Sequence, residues 1–408
     1  MKKERILLLI LATVQFTSIM DFMIMMPLGP QLMRLFHITP QQFGFVVSAY
    51  TISAGIFGFL AAFIIDKFDR KNVLLVIYIG FTIGTFACAM APTYTFLLLA
   101  RILTGAFGGV IGALVLSIVG DAIPFERRAT AMGTVMAAFS VASVFGVPFG
   151  LFIANKFDWH APFFFLAIIA TLVAALIYFF IPKMNTHIQE KKQGTNTFVI
   201  LTDILKNNNQ LRALLLMILL MMAQFSIIPF ISPYMVSNVG FTEHQLAYIY
   251  LLGGAFTIFT SPLVGKLSDK FGKAKIFTIF VLISVFPLFL ITNMGRAPIP
   301  LALVITTIFF ITVGGRIIPA MTMITGTVAP RNRGSFMSIN SSVQQLTAGI
   351  AAFIAGAIIQ KSKKGELLNY EYVGFIAITA SLLCIIIARK LKSVDSNPPA
   401  EKISPPPQ

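Results

Sequence analysis

Polar residues in this chain fall in short breaks between long apolar stretches, a pattern unlike the alternation of a half-buried strand or the one-sided stripe of a surface helix. A hydrocarbon layer of about 30 Å needs about 20 apolar residues per crossing helix, and stretches of that length follow one another along the chain. Twelve are predicted, over about 6–33, 42–65, 73–91, 94–119, 130–155 and 161–181, then 213–236, 245–267, 276–294, 299–324, 335–359 and 373–390. A polar stretch from Lys183 to Arg212, holding Lys191, Lys192 and Asn207-Asn208-Asn209, divides them six and six. The expected organisation is a six-helix half over 1–182, a cytosolic linker over 183–212, a second six-helix half over 213–392, and a disordered cytosolic tail over 393–408. The first stretch is too long for a signal peptide's apolar region and lacks a small-residue cleavage site after it, so it is expected to be retained.

Composition narrows the class. Charged residues make up 11% of the 408, against about 25% in a soluble domain, and 57% of the chain is apolar. Too few charges remain to coat soluble domains, which excludes a soluble enzyme, a disordered chain and a secreted disulfide scaffold. Cys88 and Cys384 both fall in apolar runs, where a thiol acts as a small hydrophobe. The net charge of +16 is spread over the breaks and not gathered into a patch interleaved with aromatics, so no nucleic-acid partner is expected. Counted in alternate breaks, Lys and Arg number 23 on one side and 6 on the other. The positive-inside rule then places both termini in the cytosol, consistent with an even number of spans, which puts them on the same side.

The two halves repeat. Thr39 and Gln42 recur 203 residues on as Thr242 and Gln245, and Asp66 and Lys67 recur at the same offset as Asp269 and Lys270. Pro124 and Arg127 recur 206 residues on as Pro330 and Arg333. Duplicated halves are a common transporter plan.

The repeated loop reads Ala62-Phe63-Ile64-Ile65-Asp66-Lys67-Phe68-Asp69-Arg70-Lys71 in its first copy and Gly265-Lys266-Leu267-Ser268-Asp269-Lys270-Phe271-Gly272-Lys273 in its second. Both resemble the loop signature of the major facilitator superfamily. Arg101-Ile102-Leu103-Thr104-Gly105 is similar to that superfamily's fourth-helix motif, and Phe145-Gly146-Val147-Pro148-Phe149-Gly150 followed by Trp159 resembles its antiporter motif in the arabinose efflux permease branch. Arg331-Asn332-Arg333-Gly334-Ser335-Phe336-Met337-Ser338 resembles the same branch. Ala62 and Asp69 stand where the family carries glycines, and Val147 separates a glycine and proline that are usually adjacent. The resemblance implies an all-α fold of twelve membrane helices in two pseudo-twofold halves. It also implies a latch of Asp66, Arg70 and Asp121 in the first half, with Asp269 and Lys273 as a second copy that has Gly326 near the place of Asp121.

Fourteen of the fifteen acidic residues lie in breaks, tails or span ends; Asp21 alone lies inside a span. At 1.5 Å per residue it falls about 8 Å from the non-cytosolic edge, and Arg101 about 10 Å from the same edge. A charge in a membrane helix costs about 2.5 to 3.5 kcal/mol, so the two are expected to face each other. Such a pair is either a proton switch, since moving water or the guanidinium changes a carboxylate's hold on a proton, or a static bridge between spans one and four. The superfamily resemblance implies the coupling role. Arg316, in span ten, stands either to attract an anionic substrate or to satisfy helix-end carbonyls. Asn340 and Gln344 share a face of span eleven, and Gln224 and Tyr234 lie in span seven near Pro229 and Pro233. Polar groups in lipid either glue helices together or line a cavity at the repeat interface, and these four are candidate cavity residues.

No phosphate-cradling Gly-x-x-x-x-Gly-Lys-Ser/Thr motif occurs, and His37, His160, His187 and His244 all fall outside the spans. Neither an enzyme nor a cofactor is expected. The function the sequence implies is proton-coupled efflux of a small amphipathic or sugar-like molecule, by a monomer in the bilayer that uses the proton gradient; an uptake symporter or a uniporter of the same fold is the alternative.

Overall fold

The computed structural model describes residues 2–184, 204, 206–329 and 333–394. Most of the predicted linker, Arg331 and most of the tail lie outside the described residues. Among those described, twelve helices are long and apolar enough to cross a membrane: Glu4–Ile24, Pro40–Ala61, Arg70–Ala89, Tyr94–Ala122, Thr130–Lys156 and Ala161–Phe180 in the first half, and Asn208–Val239, Glu243–Phe271, Lys273–Thr292, Ile299–Gly326, Arg333–Ile358 and Tyr370–Arg389 in the second. They are spans one to twelve below. The only strands among the described residues, Gln360–Lys361 and Leu367–Leu368, form a small antiparallel hairpin between spans eleven and twelve.

Span one is shorter than its apolar pattern predicts. It stops at Ile24, and a separate helix, Gly29–Leu35, follows a turn. Hydropathy cannot see this break. Pro27 has no N–H to donate to the preceding turn and its ring crowds the carbonyl four residues back. Pro30 then sits in the first turn of the short helix, where a missing N–H does no harm.

The repeat has a structural basis in capping. Gln42 N–H donates to the Thr39 hydroxyl at 3.2 Å while Thr39 N–H donates to Gln42 Oε1 at 2.8 Å, and Thr242 N–H likewise donates to Gln245 Oε1 at 2.9 Å. Each half therefore opens its second helix with the same reciprocal cap. Asp69, standing where the family has glycine, is the N-cap of span three: one carboxylate oxygen accepts from Asn72 N–H at 3.1 Å and the other from Met184 N–H at 2.7 Å. The substitution exchanges a flexible turn for a tie to the end of span six.

Prolines shape the longer helices. Ala142–Gly146 of span five forms a π-turn just before Pro148, and span seven breaks after Phe225, resumes at Ile228 and widens again over Met235–Val239.

Packing is uneven along the membrane normal. Toward the face opposite the termini, one core contains side chains of both halves, among them Phe43, Leu97, Trp159, Phe230, Tyr250 and Tyr370. Toward the terminus-bearing face the halves have separate cores, one around Leu11, Tyr78 and Ile118, the other around Leu216, Phe277 and Phe336. The halves thus share one core at one end and keep separate cores at the other, where Phe59 of span two packs against the second half's core.

Candidate functional site

Asp21 and Arg101 meet at the boundary between the shared core and the core of the first half. Arg101 Nη1 donates to Asp21 Oδ2 at 2.7 Å and to the Asp21 carbonyl at 3.4 Å, and both side chains are shielded to within 1% of complete burial. The Thr85 hydroxyl of span three donates to the other carboxylate oxygen at 3.2 Å. Tyr50 of span two lies over the guanidinium, its ring centroid 4.3 Å from Arg101 Cζ. Four helices of one half therefore surround one carboxylate.

Local sequence explains the close approach. A Cβ at Gly105, one turn beyond Arg101, would lie 2.3 Å from the Tyr50 carbonyl oxygen. One at Gly109 would lie equally close to the Ala54 carbonyl oxygen. Small residues at this spacing let spans two and four touch backbone to backbone, which brings Tyr50 over the cation.

The pair is well matched but incompletely saturated, since Arg101 Nε has no hydrogen-bond partner among the described residues. A buried ion pair is held together strongly because removing one partner strands the other charge, at about 3 to 5 kcal/mol. Protonating the carboxylate has a related effect without altering shape. It removes the charge that holds Arg101 while leaving a group that still hydrogen-bonds.

From this pair an aromatic path leads to the other half. Tyr50 stacks on Phe22 at 5.3 Å between centroids, and Phe22 contacts Phe225 of span seven at 6.0 Å. Neither Tyr50, Thr85 nor Phe22 is marked by a sequence motif; each is one aromatic or hydroxylated residue among many.

The remaining predicted site residues are dispersed. Arg316 is fully buried in the second half, and its Nη1 donates to Ser381 at 2.8 Å and Ser284 at 3.3 Å. Its partners are hydroxyls of spans twelve and nine, not the helix-end carbonyls that were one of its two sequence readings. Its Nε and Nη2 have no partner among the described residues. Asn340 is 1% exposed, and neither its amide atoms nor the buried Gln224 Oε1 has a hydrogen-bond partner among the described residues. Gln344 is half-buried. Tyr234 packs into the shared core against Tyr370, ring centroids 4.7 Å apart.

At the terminus-bearing face, Arg70 Nε donates to Asp121 at 3.1 Å. The Asp66 side chain lies outside the described residues. Asp269 and Lys273 are exposed and make no ion pair among the described residues, so the second copy of the latch is not assembled. At the other face, sequence gave no hint of an inter-half clasp. Arg34 pairs with Glu243, and Gln31 donates to Asn155 Oδ1 at 2.8 Å while Asn155 reaches the Glu243 carbonyl at 3.5 Å.

Twelve apolar helices in two capped repeats around a buried charge pair define a membrane transporter fold. The sequence profile of the Major Facilitator Superfamily matches residues 11–230 and again 213–407, and the chain belongs to that family. It is 24% identical over 403 residues to Multidrug resistance protein 2 of Bacillus subtilis (strain 168), covering 95% of this chain and 96% of that one. It is 25% identical over 368 residues to the uncharacterized MFS-type transporter YceJ of the same organism, covering 89% and 92%. Among solved structures it superposes on a D-xylose-proton symporter with a TM-score of 0.76 at 17% identity, covering 94% of this chain and 97% of that one. It superposes on an inward-facing, unoccupied bacterial homolog of the lysosomal transporter Spinster at 0.74 and 17%, covering 95% and 98%. At that identity these structures share the fold. The chain is therefore a transporter and not an enzyme.

Proposed function

We propose that this transporter is a proton-coupled exporter of a small amphipathic molecule, working as a monomer with both termini in the cytosol of a bacterial inner membrane. The observation that carries the reading is the sealed contact of Asp21 with Arg101, Thr85 and Tyr50, a titratable group whose proton occupancy changes the charge balance of four packed helices. Protons entering along their gradient neutralise Asp21, free the guanidinium and let spans one and four shift. Each charge crossing 100 mV releases about 2.3 kcal/mol, enough for roughly fiftyfold accumulation of a neutral solute per proton.

The halves 1–182 and 213–392 are the rocking bodies, and the described state is closed at the end where they share a core. With the termini in the cytosol, the sealed end is the outer one. Resemblance to a multidrug resistance protein supports export. Asn340, Gln344, Gln224 and Arg316, on spans seven, ten and eleven, are the proposed contacts for cargo; the latch of Asp66, Arg70 and Asp121 is the proposed clasp of the opposite state.

The test uses everted vesicles, an imposed proton gradient and ethidium as an amphipathic probe, after a growth screen of a drug-sensitive host to extend the probe set. Gradient-driven uptake into the vesicles that disappears in Asp21→Asn, accompanied by proton release from the lumen, supports antiport. Undiminished uphill movement in Asp21→Asn overturns the proton assignment, and movement in the same direction as the proton supports a symporter instead.

A further inference from the structure

The two halves meet along two seams, span two with span eleven and span five with span eight. The repeat relates span two to span eight and span five to span eleven, so halves placed by a strict twofold axis would close both seams alike. They are not closed alike. Spans two and eleven pack together through most of the membrane. A Cβ at Gly44 would lie 2.9 Å from the Ala352 carbonyl oxygen, one at Gly349 would lie 2.5 Å from Ile52 Cγ1, and one at Gly55 would lie 2.6 Å from Leu346 Cγ. At Gly58 it would lie 3.9 Å from Ser342 Oγ, and the adjacent Phe59 packs against the second half's core. The antiparallel register holds from Gly44 to Gly58, a length of about 21 Å at 1.5 Å per residue. Glycines let the two backbones touch along it.

Spans five and eight pack together toward the face opposite the termini. There a Cβ at Gly254 would lie 2.8 Å from Val144 Cγ2 and 3.2 Å from the Ser143 carbonyl carbon. Carried 11 residues, or about three turns, toward the terminus-bearing face on both helices, the same register sets Gly133 opposite Gly265. A Cβ at either would meet no atom within 4 Å. From Ala255 to Leu263 no residue of span eight is buried, although a helix packed between neighbours buries a stripe. On span five, Ala131 and Val135 belong to the first half's own core, while Met136 and Phe139 are exposed.

We propose that the halves turn about the seam of spans two and eleven, which stays closed in every state, while spans five and eight alone open and close at the terminus-bearing end. In the opposite state Gly133 meets Gly265 as Gly44 now meets Gly356, where a Cβ on Gly44 would lie 3.3 Å from the Gly356 Cα. The unburied stretch of span eight is the surface that span five then covers, continuous with the contact already made at Gly254. The inference rests on the halves moving as two bodies, and on neither the proton nor the direction of transport.

Cys88 and Cys384 are buried, so introduced thiols are the ones that react. Two double variants of the full-length protein, Gly58→Cys with Ser342→Cys and Gly133→Cys with Gly265→Cys, are oxidised with copper phenanthroline in membrane vesicles. Ethidium transport, in either direction, is followed before oxidation, after it, and after reduction by dithiothreitol. A disulfide needs Cα atoms within about 7 Å, so each bridge reports contact between its two spans. The bridge between spans two and eleven is expected to leave transport unchanged, and the bridge between spans five and eight to form and to abolish transport until it is reduced. Transport lost through the first bridge and recovered on reduction overturns the proposal, as does a second bridge that never forms or that transport survives. Spin labels at exposed positions give a readout that needs no glycine replaced: Leu60→Cys with Ser341→Cys across the first seam, and Phe139→Cys with Phe259→Cys across the second. In liposomes, electron–electron resonance is expected to give one distance for the first pair and two for the second. Two distances in both pairs would keep the halves moving but overturn this pivot, and a single distance in both would overturn the moving bodies as well.

Discussion

The aromatic ring of Tyr50 lies 4.3 Å from the guanidinium carbon of Arg101, on the same cation whose Nη1 holds Asp21 at 2.7 Å. A desolvated cation over an aromatic face gains about 2 kcal/mol or more. Tyr50→Phe is therefore expected to keep gradient-driven transport within about threefold of the parent, while Tyr50→Leu loses the contact and tenfold or more of coupled rate. Initial rates of probe uptake in everted vesicles, normalised to protein, check this; equal rates in Phe and Leu variants count against the ring's role.

Arg101→Lys preserves charge but replaces the flat guanidinium, whose Nη1 donates to both the Asp21 carboxylate and its carbonyl and whose Cζ lies 4.3 Å from the Tyr50 ring centroid, with a compact ammonium. The expected result is normal expression with weakened coupling, seen as probe transport that no longer responds to an imposed pH gradient. Near-normal pH-driven transport would argue against the pairing as the coupling element.

Gly105 is predicted to be intolerant of a side chain. Adding one methyl places Cβ 2.3 Å from the Tyr50 carbonyl oxygen, and overpacking of this kind costs about 1 to 3 kcal/mol. Gly105→Ala is expected to lower the thermal unfolding midpoint in detergent, measured by thiol-reactive dye fluorescence. Gly133→Ala, with nothing within 4 Å of the new atom, is the control and is expected to leave the midpoint unchanged or slightly raised.

The clasp of Arg34 and Glu243 joins residues 209 positions apart across the face opposite the termini. Arg34 is largely exposed, so the contribution is about 0.2 to 1 kcal/mol, a shift of roughly 1.4- to 5-fold in the balance between closed and open states. Glu243→Gln is expected to increase labelling of a cysteine at Phe36 by a membrane-impermeant maleimide. The exchange Arg34→Glu with Glu243→Arg is expected to restore protection.

Much of the architecture is legible in the chain because lipid imposes one simple requirement, a long apolar helix, that composition reports directly. The departures lie where backbone chemistry overrides composition. Pro27 ends span one inside an unbroken apolar run, and the π-turn over Ala142–Gly146 leaves no trace in hydropathy. Depth along a helix is also readable, since rise per residue is fixed, and the counted depths of Asp21 and Arg101 agree with two residues found in contact. Rotation about the axis and the identity of facing helices are not readable in that way. Thr85 and Tyr50 could be assigned to the pair only after spans two and three were placed beside it. The clasp of Arg34 and Glu243 depends on how the halves meet, which no local pattern encodes.

The uneven placement of the three apolar cores has a mechanical corollary. Opening the other mouth requires wetting or re-seating the common seam, whereas the two private clusters can travel intact inside their bundles. The work of reversal is concentrated in that one hinge-like joint, and substitutions there should retune the resting equilibrium without unravelling either bundle.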